Sequence, residues 1–309
     1  MSNLFDALRR ADAENSGLDG GSGLALATEL LQSAEEKEKR IEPASTPKPQ
    51  FEVDAFEVNS NPPAPSVGDE MERCTVLPLS IGEESHLVSV GAEESLGAEK
   101  FRFLAVRLRQ LRQNRPLKKI LITSTIPQEG KSMIAANLAC TLARRKQHKI
   151  LLLEGDLRRP NIANQFGVGK VPGLCEWLSG LTQDINIYKL GDLGLWMLPA
   201  GAAPENPLEL MQSGKLSLLM QRLEAWFDWI VIDSPPVLPL ADTSVWSRVS
   251  DGILLVTRKG ITEKQQLQRG LEAIEKSKIL GALVNGSASV AHSDYYQRYA
   301  SSAADTPRA

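Results

Sequence analysis

Gly130-Lys131-Ser132 closes the stretch KILITSTIPQEGKSMIAAN, which runs from residue 119 to 137. An apolar strand, a tight turn and a helix start in that order suit the phosphates of a nucleotide. Glycine at 130 lets the main chain approach an anion with no Cβ in the way. The expected nucleotide-binding set is Pro127, Gln128, Glu129, Gly130, Lys131, Ser132 and Met133. Backbone N–H groups from Glu129 to Met133 would point at the anion, and the helix N-terminus adds partial positive charge. Lys131 has the reach for the β- and γ-phosphates, and Ser132 offers a hydroxyl to Mg²⁺. The general pattern wants a glycine six positions before the lysine; Thr125 stands there, so the loop is a variant.

Two more apolar strands end in acid. ILLLEGD places Glu154 and Asp156, followed by Leu157-Arg158-Arg159-Pro160; WIVID places Asp233, followed by Ser234-Pro235-Pro236. A single acid at a strand end is as readily a turn or a helix cap. Three such strand ends in one parallel sheet bring lysine, hydroxyl and carboxylates together where Mg²⁺ is held in phosphoryl transfer. Ser132, Asp156 and Asp233 are the expected metal-holding groups. Lys131, Asp156, Glu154 and Asp233 are the expected catalytic ones, with Asp156 or Glu154 able to accept a proton from an attacking hydroxyl.

The elements that must position these residues follow from periodicity. Near-continuous Ile/Leu/Val runs predict strands at 119–125, 149–155, 194–199, 229–233, 252–257 and 281–285. Helical spacing predicts helices at 132–146, 207–226 and 263–278, with shorter ones near 160–166 and 173–180. Alternation of this kind means an α/β fold, a doubly wound, mostly parallel sheet covered on both faces. Its site lies beyond the carboxyl ends of the strands. Ahead of the core, Glu99 to Arg115 predicts a basic helix with an apolar stripe of Phe101, Leu104, Leu108 and Leu111. Its basic side is either a solvated face or a contact for a subunit or an acidic partner.

The rest of the 309-residue chain bounds the function class. An apolar fraction of 42% supports a sizeable core, and a net charge of −3 does not point to nucleic acid. Cys74, Cys140 and Cys175 are scattered, which fits a reducing compartment and no metal or disulfide framework. No apolar run approaches the ~18 residues of a membrane span. Residues 1–40 contain two short amphipathic helical patterns, either docking helices or a frayed leader. Residues 41–85 read as a Pro-rich disordered linker, and 86–290 as the nucleotide-binding domain. His86, with no Cys or His at ligand spacing, reads as structural or surface. The tail, 291–309, holds Tyr295, Tyr296 and Tyr299, three of the four tyrosines in the chain. Such a tail either packs on a partner or carries phosphoacceptors.

From residue 86 to 299 the chain resembles the bacterial P-loop tyrosine kinases (BY-kinases) of capsule and exopolysaccharide synthesis. The matching stretches are TSTIPQEGKS (123–132), LLLEGDLRRP (151–160), FGVGKVPGLCEWLSG (166–180), FDWIVIDSPPVLPLAD (227–242), DGILLVTRKGIT (251–262) and LGALVNG (280–286). The leader MSNLFDALRRADAE is similar to that of stand-alone members without a fused membrane domain. The resemblance implies a P-loop NTPase fold with a deviant Walker A motif, like the septum- and plasmid-positioning (MinD/ParA-like) ATPases. It implies a cytoplasmic, ATP- and Mg²⁺-dependent tyrosine kinase recruited to the inner face of the plasma membrane. Its partner would be a separate membrane-spanning chain-length regulator. Copies would form a homo-oligomer of ring-like assembly and phosphorylate one another's tail tyrosines, thereby regulating polymer export. The family motif for contact between copies is matched by Glu99 and Arg102 and broken at Ala105. The family also carries Gly at the place of Gln128 and Asp at the place of Glu154. Two rival functions share the fold, a switch ATPase and a degenerate nucleotide-binding scaffold of the export machinery. The switch type often has a lysine early in the loop, and this loop has none.

Overall fold

The computed structural model describes residues 74–82, 85–91, 95–238 and 240–286. The chain divides into two units, Met1–Arg73 and Cys74–Ala309, and all described residues belong to the second. The two leader helices and the tyrosine tail lie outside the described residues.

Eight strands make one sheet: β1 (Thr75–Leu77), β2 (Lys119–Ser124), β3 (Ile150–Glu154), β4 (Tyr188–Leu190), β5 (Leu195–Leu198), β6 (Trp229–Asp233), β7 (Gly252–Arg258) and β8 (Ile279–Asn285). Their order is β1-β4-β5-β3-β6-β2-β7-β8. Every pairing is parallel except β4 with β5. The helices are α1 (Val88–Gly91), α2 (Leu96–Asn114), α3 (Lys131–Ala143), α4 (Ile162–Gln165), α5 (Leu174–Ser179), α6 (Pro207–Gln212), α7 (Lys215–Trp226), α8 (Asp242–Val249) and α9 (Lys264–Glu272). None of the described helices is long and apolar enough to cross a membrane.

The β2, β3 and β6 strands are buried at nearly every position, as expected of a sheet with both faces covered. The chain leaves β2 through α3 and returns not beside it but one strand away, in β3. Strand β6 fills the gap, with Asp233 opposite both Ile122 and Glu154. The three motif-bearing strands are therefore adjacent, and their carboxyl ends open on one crevice. Helix α3 is buried all round from Ile134 to Ala143 because α1 and α2 pack over it. Polar groups fix that cover. Ser89 N–H donates to Asn137 Oδ1 at 3.0 Å, the Ser89 and Thr141 hydroxyls meet at 2.9 Å, and Asn137 Nδ2 donates to the His86 carbonyl at 3.0 Å. His86 itself adopts φ 53°. Burial pushes the Cys140 and Cys175 thiols up to about 12, which keeps them protonated and unreactive.

Several expected boundaries move. The linker does not run to residue 85, since β1 forms within it and pairs with β4. Leu79 and Ile81 pack on the core, and Ser80 N–H donates to the Phe166 carbonyl at 3.2 Å. The expected 207–226 helix is two helices, broken where Gly214 takes φ 78°. The expected 263–278 helix ends at Glu272, and β8 begins two residues early at Ile279. Strand β4 and helix α8 have no counterpart among the expected elements. Strand β4 has three residues, too few for periodicity to register, and the stretch of α8, DTSVWSRV, is half polar.

Because Leu77, Leu79 and Ile81 are partly buried in β1 and its following turn, a chain starting at His86 should melt about 2–5 °C below one starting at Cys74. Calorimetry of the two truncations measures this.

Candidate active site

The loop between β2 and α3 is built by its own strain and by three clamps. Gln128 has φ 67°, a left-handed conformation that costs a residue with a side chain about 1–2 kcal/mol. Gly130 has φ 93°, and a Cβ there would stand 2.3 Å from Asn285 Nδ2. Glycine is thus required at 130 by backbone conformation and by a close neighbour, not only by the approach of an anion. Arg258 donates to the Gln128 carbonyl at 3.1 Å, and Asn285 Nδ2 donates to the Glu129 carbonyl at 2.9 Å. The Glu129 carboxylate is fully buried, with one oxygen taking the Ile126 N–H at 2.9 Å and the other the Thr262 hydroxyl. Its side chain therefore shapes the loop, and only its main chain is left to meet a ligand. Pro127 and Gln128 are exposed at the tip. The first-turn N–H groups of α3, from Lys131 to Met133, have no carbonyl within their helix to bond. They are the donors with which this end of the loop could meet an anion.

Beside this end lies a buried charge cluster. Lys131 Nζ sits 2.8 Å from Asp156 Oδ2, 3.2 Å from Ser132 Oγ and 3.6 Å from Asp233 Oδ1. Burial disfavours the ammonium charge, but Asp233 and Asp156 together outweigh it and hold Lys131 above its ordinary pKa. Burial raises the Asp233 carboxyl to about 6 against the opposing pull of Lys131. Both oxygens of Asp233 lack a hydrogen-bond partner although the residue is only 1% exposed. Asp156 accepts the Arg159 N–H at 3.1 Å on its other oxygen.

Glu154 behaves differently. It is raised above its ordinary range by burial, and its oxygens are taken by the N–H groups of Ile162 and of Ala200, the latter at 3.1 Å. It ties the turns after β3 and β5 together and turns neither oxygen to the crevice. Of the two acids expected as proton acceptors, Asp156 is the one beside Lys131.

The donor set fits Mg²⁺. A hydroxyl, one carboxylate bonded to the ammonium and one buried carboxylate without a hydrogen bond are hard oxygen donors, few enough to leave positions for phosphate oxygens and water. No group of three His, Cys, Asp or Glu side chains at metal spacing occurs among the described residues.

Glu99 and Arg102 are not in this crevice. They form an i,i+3 ion pair of 2.6 Å on α2, with Phe103 and Val106 exposed nearby. Ala105, where the family motif breaks, is 1% exposed and packs inward. The basic side of α2 is also not uniformly solvated, since the Arg112 guanidinium stacks 4.7 Å above the Trp229 ring. Arg258 ends β7 and Thr262 lies in the turn beyond it, and neither residue type at such a place carries a spacing signal in the sequence. At Asn285, which closes the last strand, residue type and position leave two readings open, an adenine reader or a turn residue. Its amide is committed to the loop.

No family model matches the chain. The chain is 34% identical over 215 residues to the tyrosine-protein kinase YwqD of Bacillus subtilis strain 168, spanning 69% of this chain and 90% of that protein. Its fold matches the kinase domain of the Escherichia coli tyrosine kinase Etk with a TM-score of 0.63 and 25% identity, covering 75% of this chain and 97% of that one. It also matches the chimerical protein CapA2B2, with a TM-score of 0.60, 27% identity and coverage of 71% and 96%.

Two predictions follow from the strained loop and the buried acid. Gln128→Gly relieves the left-handed strain, partly offset by the greater freedom of glycine in the unfolded chain, and should raise Tm by about 1–3 °C. A drop on differential scanning fluorimetry would show that the side chain is needed there. Asp233 binds its proton more tightly folded than unfolded, so its ionised form destabilises the fold above about pH 6. Asp233→Asn should therefore raise Tm at pH 8 by about 5 °C, with the advantage fading as pH falls from 6 toward 4. Melting curves across pH check the sign.

Proposed function

The chain belongs to the bacterial P-loop tyrosine kinases and is a tyrosine-protein kinase; from that premise we propose that it is an autokinase, transferring the γ-phosphoryl group of ATP to tyrosines of a second copy. The acceptors are Tyr295, Tyr296 and Tyr299. The observation that carries this reading is the meeting of Lys131, Asp156 and Asp233 within 3.6 Å at the mouth of the loop.

In this reading the N–H groups from Glu129 to Met133 hold the phosphate oxygens, and Lys131 turns from Asp156 to the β- and γ-phosphates. Its move leaves the Asp156 carboxylate free to take the proton of the tyrosine hydroxyl. The tyrosine oxygen then bonds to the γ-phosphorus as the bridge to ADP breaks. Ser132, Asp156 and Asp233 would hold Mg²⁺, which supplies neutralisation of phosphate charge when bound. The oxygens of Asp233 support that assignment: they have no hydrogen-bond partner and only the Lys131 ammonium at 3.6 Å, and a buried carboxylate so weakly paired is costly unless a ligand satisfies it. Preorganised charge of this kind is where most phosphoryl-transfer catalysis arises.

We further assign the exposed Glu99–Arg102 face of α2, with Phe103 and Val106, as the contact between copies. A separate membrane-spanning chain-length regulator is the proposed activator. It would recruit the kinase from the cytoplasm to the inner face of the membrane, where phosphorylation regulates capsule or exopolysaccharide export.

Peptide mass spectrometry after Mg–ATP, alone and with the regulator's cytoplasmic tail, tests the proposal. Phosphate is expected on the tail tyrosines and should fall at least ~1,000-fold in Lys131→Met. No phosphotyrosine while ATP still binds would favour the scaffold or the switch ATPase, which turnover of ATP then separates.

A further inference from the structure

We propose that Asp242 and Trp246 are positioning residues that hold Asp156 in line with Lys131. The inference rests on the reading of Asp156 as the carboxylate of phosphoryl transfer.

Asp156 sits on a turn that is gripped on both sides by helix α8. On one side, the Trp246 indole N–H donates to the Gly155 carbonyl at 3.0 Å, and Trp246 is fully buried. On the other, Asp242 takes the Arg158 guanidinium in a two-pronged bridge of 2.7 and 3.0 Å. Asp242 is 1% exposed, so this bridge occupies a carboxylate that solvent does not reach. A paired fork of this kind fixes direction as well as distance. The same helix reaches the neighbouring acid, since the Thr243 hydroxyl donates to the Pro235 carbonyl at 2.8 Å, two residues past Asp233. Gly155 closes the arrangement. Its N–H donates to the Asp233 carbonyl at 2.7 Å, and a Cβ there would stand 2.7 Å from the Trp246 ring. Helix α8 thus carries no group into the crevice, yet three of its side chains bond the two turns that carry the acids. Structural packing alone would need the Trp246 ring but not its N–H, and would not need a buried charge at 242.

The test uses the full chain, with transfer of phosphate to tyrosine measured in single turnover at saturating Mg–ATP. Trp246→Phe keeps the ring and removes the donor; Asp242→Asn keeps the shape and removes the charge. Each should slow transfer by roughly 10- to 100-fold, the scale of a small misplacement of a reacting group. Nucleotide Kd should change less than about threefold and Tm by only a few degrees. Asp242→Glu should recover part of the loss. In an Asp156→Glu background, Trp246→Phe should cost less than about twofold more, because the group it aims is already displaced. Wild-type transfer by Trp246→Phe, or an equal loss in both backgrounds, would overturn the inference and leave the tryptophan a packing residue. Wild-type transfer by Asp156→Asn would instead overturn the reading beneath it, and the inference with it.

Discussion

One lysine ammonium and two carboxylates share a nearly dry space at the ends of three adjacent strands, and the rest of the site follows from that constraint. Such charges are tolerated out of water only when paired. Lys131 pairs closely with Asp156 and only loosely with Asp233, whose oxygens have no hydrogen bond. The cluster is short of one positive charge. An arrangement optimised for stability alone would not retain it, and the deficit is of the kind that a cation held with a nucleotide corrects.

The loop that delivers Lys131 shows the same balance. Gln128 is held left-handed without the freedom of glycine, and Gly130 is pressed against Asn285. Bonds from Arg258, Thr262 and Asn285 offset this, all from the segment between the end of β7 and the end of β8. The loop shape is therefore a property of the sheet's far side as much as of its own residues. The same holds for Asp156, whose turn is fixed by a helix that begins 86 residues later. Glu154 illustrates the converse. It is an acid in a motif position whose oxygens are taken by main-chain N–H groups, so that it joins two turns.

Much of this was legible in the chain. Runs such as ILLLE and WIVID specify buried parallel strands because only such strands lack an exposed face, and Gly130-Lys131-Ser132 at a strand-to-helix turn specifies a phosphate loop. The boundaries that moved share a physical cause. Strand β4 exists because β5 and β1 offer it hydrogen-bonding edges, and β1 because β4 does, while three residues carry no period of their own. The break at Gly214 has a local signal, but whether a glycine ends a helix or is carried through it is settled by what the next turn packs against.

The chain read alone specifies the α/β class, the three strand ends that come to lie side by side, and the lysine, hydroxyl and acids that meet there. Those are properties of local pattern and of residue type. The tertiary structure alone decided which acid faces the lysine, which glutamate is spent on backbone N–H groups, and that Asn285 serves the loop rather than a base. It also set the bonds by which Asp242 and Trp246 of α8 hold the turn after β3. Each of these depends on a partner dozens of residues away, and no spacing rule along a chain encodes the direction in which a side chain finds its hydrogen bond.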